Sequence, residues 1–436
     1  MIGPADALVL HHHPLAPFPY HRWLADHPGE IVVLAAADVL ARAGEEPPPP
    51  VRGPVRTHLL DTLDGPDEPV LERARELIRA HGLTRVLTHY EDDMERAALL
   101  RAEFGMPGGH PDDVVPFRDK LLMKHRVRGA GVEVAPHTLP RSVDEAREFA
   151  QRHGFPVVAK HRSGSGSEGL RILRDRAGLD AHLAASADGI AGGVLLLEAF
   201  VPGRMCHVDG MVVDGRTVLS WPSQYQYDLA SFGSDQGARI DLTLDPDDPL
   251  TPRLLDLTER VLGALRPPGS RMGDHAFHAE IFHTPDDRLV LCEIAARAGG
   301  ARVRDVLHTV FGVNHTEYTT RAQVGLPLPL LSATVAGGPL PVPRSMSGQV
   351  LMMKRPGLVR AVPAPPAEDW LADLAVHARV GDVVPAADCS SDFLLTGVGR
   401  GSTRAETERR LRELGARFVA QTEIVEIDPV DQERAS

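Results

Sequence analysis

The chain has 436 residues, 43% hydrophobic and 25% charged, the proportions of an ordinary globular protein long enough for two to four packed units. Its 47 basic against 60 acidic side chains leave a formal charge of -13, which argues against wholesale binding to a nucleic-acid backbone and confines any phosphate site to a local patch. Three cysteines (Cys206, Cys292 and Cys389) without a CxxC pair argue against a disulfide framework or zinc knuckle, and no apolar run approaches the roughly 20 residues of a membrane span. Met1 to Asp6 does not read as a signal-peptide start, so the expected location is the cytoplasm, with neither nucleic acid nor membrane as partner.

Short apolar runs at 7–10, 31–34, 57–60 and 85–88 alternate with helical stretches, among them Val70 to Ile78 with apolar positions at helical spacing. This predicts a small open parallel α/β sheet, with the prolines Pro47 to Pro50 in an exposed loop. His11, His12 and His13 follow the first strand, where open sheets meet ligands. Adjacent residues cannot all aim at one metal from a strand, so a solvated loop touching substrate is expected there.

From Pro116 the pattern changes. A helix carries Asp119-Lys120-Leu121-Leu122-Met123, and Ser142-Val143-Asp144-Glu145 has the spacing of a capping box opening the next. A strand, Phe155 to Lys160, runs into His161 to Gly169, making the second unit α+β. Then come a buried-type strand at 195–201, a hairpin turn at Val213-Asp214-Gly215-Arg216 and a helix around Leu254, Leu257, Val261 and Leu262. An apolar hairpin through 278–297 and a long helix from about Val303 follow. After Gly325 come a proline-rich crossing, the basic segment Met352-Met353-Lys354-Arg355, an amphipathic helix from Ala405 to Leu414 and a strand near Ile424 to Ile427. No internal repeat is present.

The hairpin carries the chemistry. His278, Glu280 and Phe282 share one face of its first strand; Leu289, Leu291, Glu293, Ala295 and Arg297 share one face of its return strand. Buried carboxylates need compensation, and a hard divalent cation with oxygen ligands supplies it; the plain alternative is a surface ion pair between Glu293 and Arg297. Upstream, Lys160 ends an apolar strand and faces Gly164, Gly166 and Gly169 interleaved with Ser163, Ser165 and Ser167. Glycines let backbone amides approach phosphate and serines add hydroxyl donors, whereas a flexible linker would need no lysine at its mouth.

In their order, Asp119-Lys120, Phe155 to Lys160 with its glycine-serine loop, Leu197-Glu198-Ala199-Phe200-Val201-Pro202-Gly203, His278-Ala279-Glu280 and Glu293 to Gly300 resemble the ATP-grasp superfamily. The likeness is greatest to carboxylate–amine ligases that join amino acids. It covers residues 5–330 well and the last hundred more loosely.

The resemblance implies an ATP-grasp fold, multidomain α/β and α+β. Its parts are an N-terminal open parallel α/β domain over 1–112, a small subdomain with the lid loop over 113–193, a large subdomain with the metal site over 194–328, and a C-terminal α+β subdomain over 329–436. It implies that Lys120 and Lys160 contact the α- and β-phosphates of ATP and that the loop 163–169 closes as a lid. Glu198, the Ala199 carbonyl and the Val201 amide would read the adenine edge, and Glu280 and Glu293 would hold magnesium, with manganese as a substitute. Arg297 would grip a substrate carboxylate or the oxyanion of a tetrahedral intermediate, and His278 would assist it or serve structurally.

Two departures stand out. Met205 replaces the acidic residue that commonly binds ribose, and Ala295 replaces an asparagine that ligates a second magnesium.

The leading reading is an ATP-dependent ligase that activates a small carboxylate as an acyl phosphate and couples it to an amine. Alternatives are a biotin-carboxylase-like subunit, although no lysine sits in a Met-Lys-Met setting, and a non-catalytic nucleotide-binding protein. Substrate contacts are sought in Gln224 to Asp228 and Gly233 to Asp235, and in Arg302 and Arg304, whose plain reading is solvated helix charge. The default assembly is a homodimer.

Overall fold

Ile31 to Ala36 is apolar at every position, which suits a strand covered on both faces, and it is buried throughout. The computed structural model describes residues 3–48, 53–166, 169–228, 237–387, 390 and 392–426. In it β1 (Ala7–His11), β2 (Ile31–Ala36), β3 (Val55–Leu60) and β4 (Arg85–Thr88) form an open parallel sheet in the order β3-β2-β1-β4, as the four runs predicted. The helix Asp67–His81 buries Val70, Leu71, Ala74, Leu77 and Ile78 and ends at Gly82, whose left-handed φ of 65° closes it.

A second, antiparallel sheet combines β5 (His137–Thr138), β6 (Val157–His161), β7 (Arg171–Leu173) and β8 (Leu195–Ala199) in the order β5-β8-β6-β7. Ser142 caps the helix Val143–His153 by accepting from the Glu145 amide. The Glu145 carboxylate reaches back to the Arg141 amide instead of Ser142, so only half of the expected capping box forms.

The largest sheet runs β13-β12-β9-β10-β11-β14-β18-β16, built from β9 (Arg204–Val213), β10 (Arg216–Tyr225), β11 (Arg239–Thr243), β12 (His275–His283), β13 (Leu289–Ala295), β14 (Met346–Met353), β16 (Leu371–Val376) and β18 (Phe393–Gly401). A small sheet joins β15 (Gly357–Ala361), β17 (Val383–Val384) and β19 (Glu423–Val425). Asp214 and Gly215, at φ 49° and 77°, make the hairpin turn read from their Asp-Gly pair. Under the large sheet the helix Leu250–Leu265 packs Leu254, Leu257 and Val261 against Val208, Phe277, Ala279 and Ile281. Strand alternation then turns His207, Asp209, His278 and Glu280 to the opposite face. That hydrocarbon layer is the floor on which the polar site stands.

Several expectations are corrected. The strand expected over 195–201 stops at Ala199. The long helix from Val303 is two helices, Val303–Phe311 and His315–Gln323, because Gly312 takes a left-handed φ of 74° and Asn314 caps the second by accepting from the Thr316 and Glu317 amides. The C-terminal helix extends over Arg404–Gln421, since Leu414 and Phe418 continue its buried stripe beyond the expected end. The final strand is Glu423–Val425, and Ile427 lies outside the described residues, as do Pro49, Pro50 and Cys389.

The three histidines are not a solvated loop. His11 ends β1 with its ring 3.0 Å from the Tyr20 hydroxyl, His12 is buried against Tyr90, and His13 stacks on Phe18 at 5.2 Å. An aromatic cluster roofs that end of the sheet, and burial pushes the His11 pKa well down. Among the described residues no helix is long and apolar enough to cross a membrane.

Two other imidazoles make the fold acid-sensitive. Burial lowers both His275 and His315 to about 4. The unfolded chain, titrating near 6.5, takes up protons first as pH falls. Their stabilisation is therefore complete above about pH 6.5 and lost towards pH 4, roughly 2 kcal/mol per histidine by pH 5. Urea unfolding at pH 7.5 and 5 should show a lower midpoint in acid, and His315→Asn should shrink the difference; an unchanged difference contradicts this assignment.

Candidate active site

Antiparallel pairing places Glu280 of β12 directly opposite Glu293 of β13, with His207 of β9 on its other side. The register slips between Glu280 and Ile281, so Ile281 pairs with Leu291 and Cys292 is the extra residue. That bulge changes the phase of the return strand: Leu291 sits in the core with Ile281 and Ile294, while Cys292 and Glu293 both line a cleft of about 490 Å³. The expected sharing of one face by Leu291 and Glu293 therefore fails.

Lys120 opens the helix Lys120–Gly129, whose cap Asp119 accepts from the Leu121 and Leu122 amides. Its Nζ lies 3.3 Å from Glu293 Oε2 and donates to the Gly164 carbonyl at 2.5 Å. Lys124, one turn later, is fully buried, 3.1 Å from Glu198 Oε1 and 2.9 Å from the Cys292 carbonyl. Lys160 of β6 also stands 3.1 Å from Glu198 Oε1. Desolvation lowers the Lys160 pKa, but Glu198 foremost, then Cys292 and Glu293, outweigh it and raise the pKa instead. Glu293 is pushed the other way: burial disfavours its charge, and Lys120 and Lys160 overcome that to hold it low. Sequence reading missed Lys124, although its i+4 spacing from Lys120 puts both on one helical face.

Glu198 is thus the shared counter-ion of two buried ammonium groups. Glu198→Ala should cost roughly 3–5 kcal/mol, because uncompensated charge stays behind. The urea midpoint tests this, and a near-neutral effect would show that the lysines find other partners.

In the glycine-serine loop, Ser163 donates its amide to His161 Nδ1 at 3.1 Å, and its carbonyl accepts from Arg118 at 3.0 Å. Gly164 and Ser165 line the cleft, and the Gly166 carbonyl accepts from the Ser390 hydroxyl at 3.0 Å. Ser167 lies outside the described residues, as do Gly233, Ser234 and Asp235. Ala199 and Val201 line the same cleft with Met205, Ile172 and Phe282, which form its apolar lining. Gly203, at φ 149°, lets the backbone pass where a Cβ would sit 2.4 Å from the His283 carbonyl oxygen. Gln224 is buried and takes Arg404, whereas Tyr225, Gln226, Tyr227 and Asp228 reach the cleft.

His278 Nδ1 is 2.8 Å from Asp209 Oδ1, and its Nε2 is 3.6 Å from Glu280. Asp209 also holds His207 at 2.5 Å; the other nitrogen of His207 meets Asp241 at 3.0 Å, and Gln349 donates to Asp241 at 2.9 Å. This buried row draws on four strands, β12, β9, β11 and β14. Burial works against the charged imidazole, yet Asp209 lifts His278 to about 9, so it is a cation at neutral pH. His207, Asp209 and His278 have donor atoms within 4.8 Å of one another, but each imidazole turns Nδ1 to Asp209, a hydrogen-bonded chain in place of a metal cage. Gly299 is needed here: a Cβ would fall 2.6 Å from Asp209 Oδ1 and 2.9 Å from His278 Nδ1. The close approach at Gly299 is therefore to this network, whereas a Cβ on Gly300 would meet nothing within 4 Å.

Arg297 lies past the end of β13 and pairs with Glu91, its Nε 2.9 Å from Oε2, while Nη1 donates to the Ala298 carbonyl at 2.8 Å. Arg118 binds the other Glu91 oxygen at 2.6 Å. Glu293 belongs to Lys120, so the Glu293–Arg297 surface pair is excluded. Glu91, just after β4, left no sequence signal beyond its place at a strand end. Arg302 is tied to Asp305 and Asp373, whereas Arg304 packs over Phe18 at 5.0 Å; neither is a solvated helix charge.

The donor set fits a hard divalent cation. Glu280 and Glu293 face each other across neighbouring strands, and among the described residues Glu280 has no lysine or arginine partner, only His278. Ala295, opposite His278, offers no ligand.

Residues 119–214 match the family model described as carbamoyl-phosphate synthase L chain, ATP binding domain. Among curated proteins, the chain is 23% identical over 257 residues to the L-arginine-specific L-amino acid ligase of Bacillus subtilis, covering 57% of this chain and 60% of that one. It is 29% identical over 308 residues to carnosine synthase 1 of Gallus gallus, covering 66% of this chain and 32% of that one. The matched segments thus span less than two thirds of either relative. Among solved structures, the L-amino acid ligase from Bacillus licheniformis superposes with a TM-score of 0.73 at 13% identity, covering 98% of this chain and 100% of that one. The biotin carboxylase domain of Hydrogenobacter thermophilus 2-oxoglutarate carboxylase, solved with MgADP and bicarbonate, gives 0.68 at 15% identity, covering 97% and 91%.

Proposed function

We propose that this chain, which has the ATP-grasp fold, is an ATP-dependent carboxylate–amine ligase that joins an amino acid to a second amine with release of ADP and phosphate. The observation that carries the reading is the meeting of Lys120, Lys160, Glu280 and Glu293 in one cleft. Chemically, a carboxylate is a poor acyl donor. One of its oxygens attacks the γ-phosphorus of ATP and ADP departs; the amine then attacks the acyl carbon, loses a proton, and phosphate leaves with the former carboxylate oxygen. Little covalent work falls to the protein, so positioning and charge dominate.

In this assignment Lys120 and Lys160 hold the phosphate chain, with Lys124 and Glu198 fixing Lys160. Backbone amides of 163–166 approach the phosphates from the loop, and the apolar slot by Ala199 and Val201 takes the base. Glu280 and Glu293 would hold magnesium, which neutralises charge on the transferring group. Arg297, steered by Glu91, offers donors to a carboxylate or oxyanion, and the His278 cation stands beside Glu280 to steady the same charge.

Pairing each amino acid with every other, with phosphate release and product mass as readouts, tests the reading. The expected product is a dipeptide formed with one ADP. Nucleotide binding without ADP from any pair would make the chain a non-catalytic binder, and bicarbonate-dependent ADP release without an amine would make it a carboxylase subunit.

A further inference from the structure

A second cavity, about 280 Å³, shares no lining residue with the nucleotide cleft. Its walls are β4, the turn at 107–109, the hairpin tip at Asp214 and Gly215, the approach to β12, and the chain around Gly325. Besides Arg85, Thr88, Asp214 and Asp274, three polar groups line it, and each of these three lacks a partner of a particular kind.

Arg101 donates Nε to the Val86 carbonyl at 2.9 Å and Nη1 to the Gly109 carbonyl at 3.1 Å, but no carboxylate is among its partners. Desolvation lowers its pKa to about 10 with no charge opposing the shift. His275 is 3% exposed; its Nδ1 lies 2.6 Å from the Gly273 carbonyl, which assigns the ring proton to Nδ1 and leaves Nε2 an acceptor without a donor. Gln323 donates its amide nitrogen to the Asp274 carbonyl at 2.7 Å, and its Oε1 accepts from nothing. One unpaired cation therefore faces the same space as two unfilled acceptors.

Unpaired buried groups of this kind are costly. Their complement is a molecule with an anionic end and a hydrogen-bond-donating end. A fully ionised phosphate monoester supplies only acceptors and would leave His275 and Gln323 unmatched; a metal cation would leave Arg101 without a counter-charge. Water can satisfy the acceptors but does not neutralise the guanidinium. We propose that this cavity binds a free α-amino acid, its carboxylate on Arg101, its ammonium on His275 Nε2 and Gln323 Oε1, and its side chain against Val86, Val114 and Met272. The site lies outside the cleft and stands whether or not the ligase reading does. Its walls include Ala296, next to Arg297, and Thr88, three residues before Glu91, so the cavity borders the two segments that carry the Glu91–Arg297 pair.

Calorimetric titration of the full chain, without ATP or magnesium, tests this with each free amino acid and with the N-acetyl and amide derivatives of any that bind. At least one free amino acid should bind, and both derivatives should bind at least tenfold more weakly. Gln323→Met and Arg101→Met should each weaken binding at least tenfold, while Glu293→Gln leaves it intact. Because Arg101 also ties down two carbonyls, Gln323→Met decides if Arg101→Met does not fold. The proposal is overturned if no free amino acid binds, if either derivative binds as well, if binding survives Gln323→Met, or if Glu293→Gln abolishes it, which would locate the ligand in the cleft.

Discussion

Glu293→Ala should reduce ADP formation by on the order of 10³-fold, the scale seen when a fixed charge at a phosphoryl or oxyanion centre is removed. Glu293 has two tasks. It faces Glu280 across the strand pair as half of the proposed cation site, and it holds Lys120 at 3.3 Å, so its loss both opens that proposed site and frees the ammonium assigned to the phosphates. Glu293→Gln separates them: the amide oxygen can still accept from Lys120 but binds a divalent cation weakly, so turnover should fall nearly as far and be partly restored by excess magnesium. The fold should hardly notice Glu293→Gln, since the amide oxygen keeps the contact to Lys120. Steady-state ADP release against magnesium concentration is the measurement, and undiminished turnover in Glu293→Ala would remove the metal assignment.

Asp209→Ala should be the most damaging change to the site's frame. Both His207 and His278 give their Nδ1 to this one carboxylate, and burial leaves them no water to turn to. Removing it leaves both Nδ1 groups without an acceptor, at a cost of roughly 3–5 kcal/mol by analogy with other broken buried pairs. Asp209→Asn keeps the volume but can accept through only one oxygen, so one imidazole loses its partner and His278 is no longer steadied beside Glu280. Turnover in Asp209→Asn should fall while the KM for ATP stays put, because the slot proposed for the base and the lysines are untouched. A change confined to the KM for ATP would show that the network serves nucleotide binding instead.

Much of this was legible in the sequence where local pattern and burial coincide. The two central parallel strands, β1 and β2, announced themselves because strands covered on both faces are unbroken apolar runs. Lys160 and the facing glutamates stood out because charge is expensive where they sit. The bulge at Cys292 was invisible: one extra residue leaves composition unchanged yet moves Leu291 to the core. The buried network was half visible. Cys206-His207-Val208-Asp209 alternates apolar and polar residues as a two-faced strand must, but Asp241 and Gln349 join from strands that only the folded sheet brings near. Glu91 shows the same limit, since its tie to Arg297 spans 206 residues of chain.

The central claim is that a carboxylate is activated as an acyl phosphate in the cleft between Lys120, Lys160, Glu280 and Glu293. Its most direct test supplies an amino acid labelled with ¹⁸O in its carboxylate, together with ATP, magnesium and the acceptor amine, and weighs the phosphate released. Transfer of one labelled oxygen to each phosphate is the predicted result; unlabelled phosphate, or AMP and pyrophosphate in place of ADP, would contradict it.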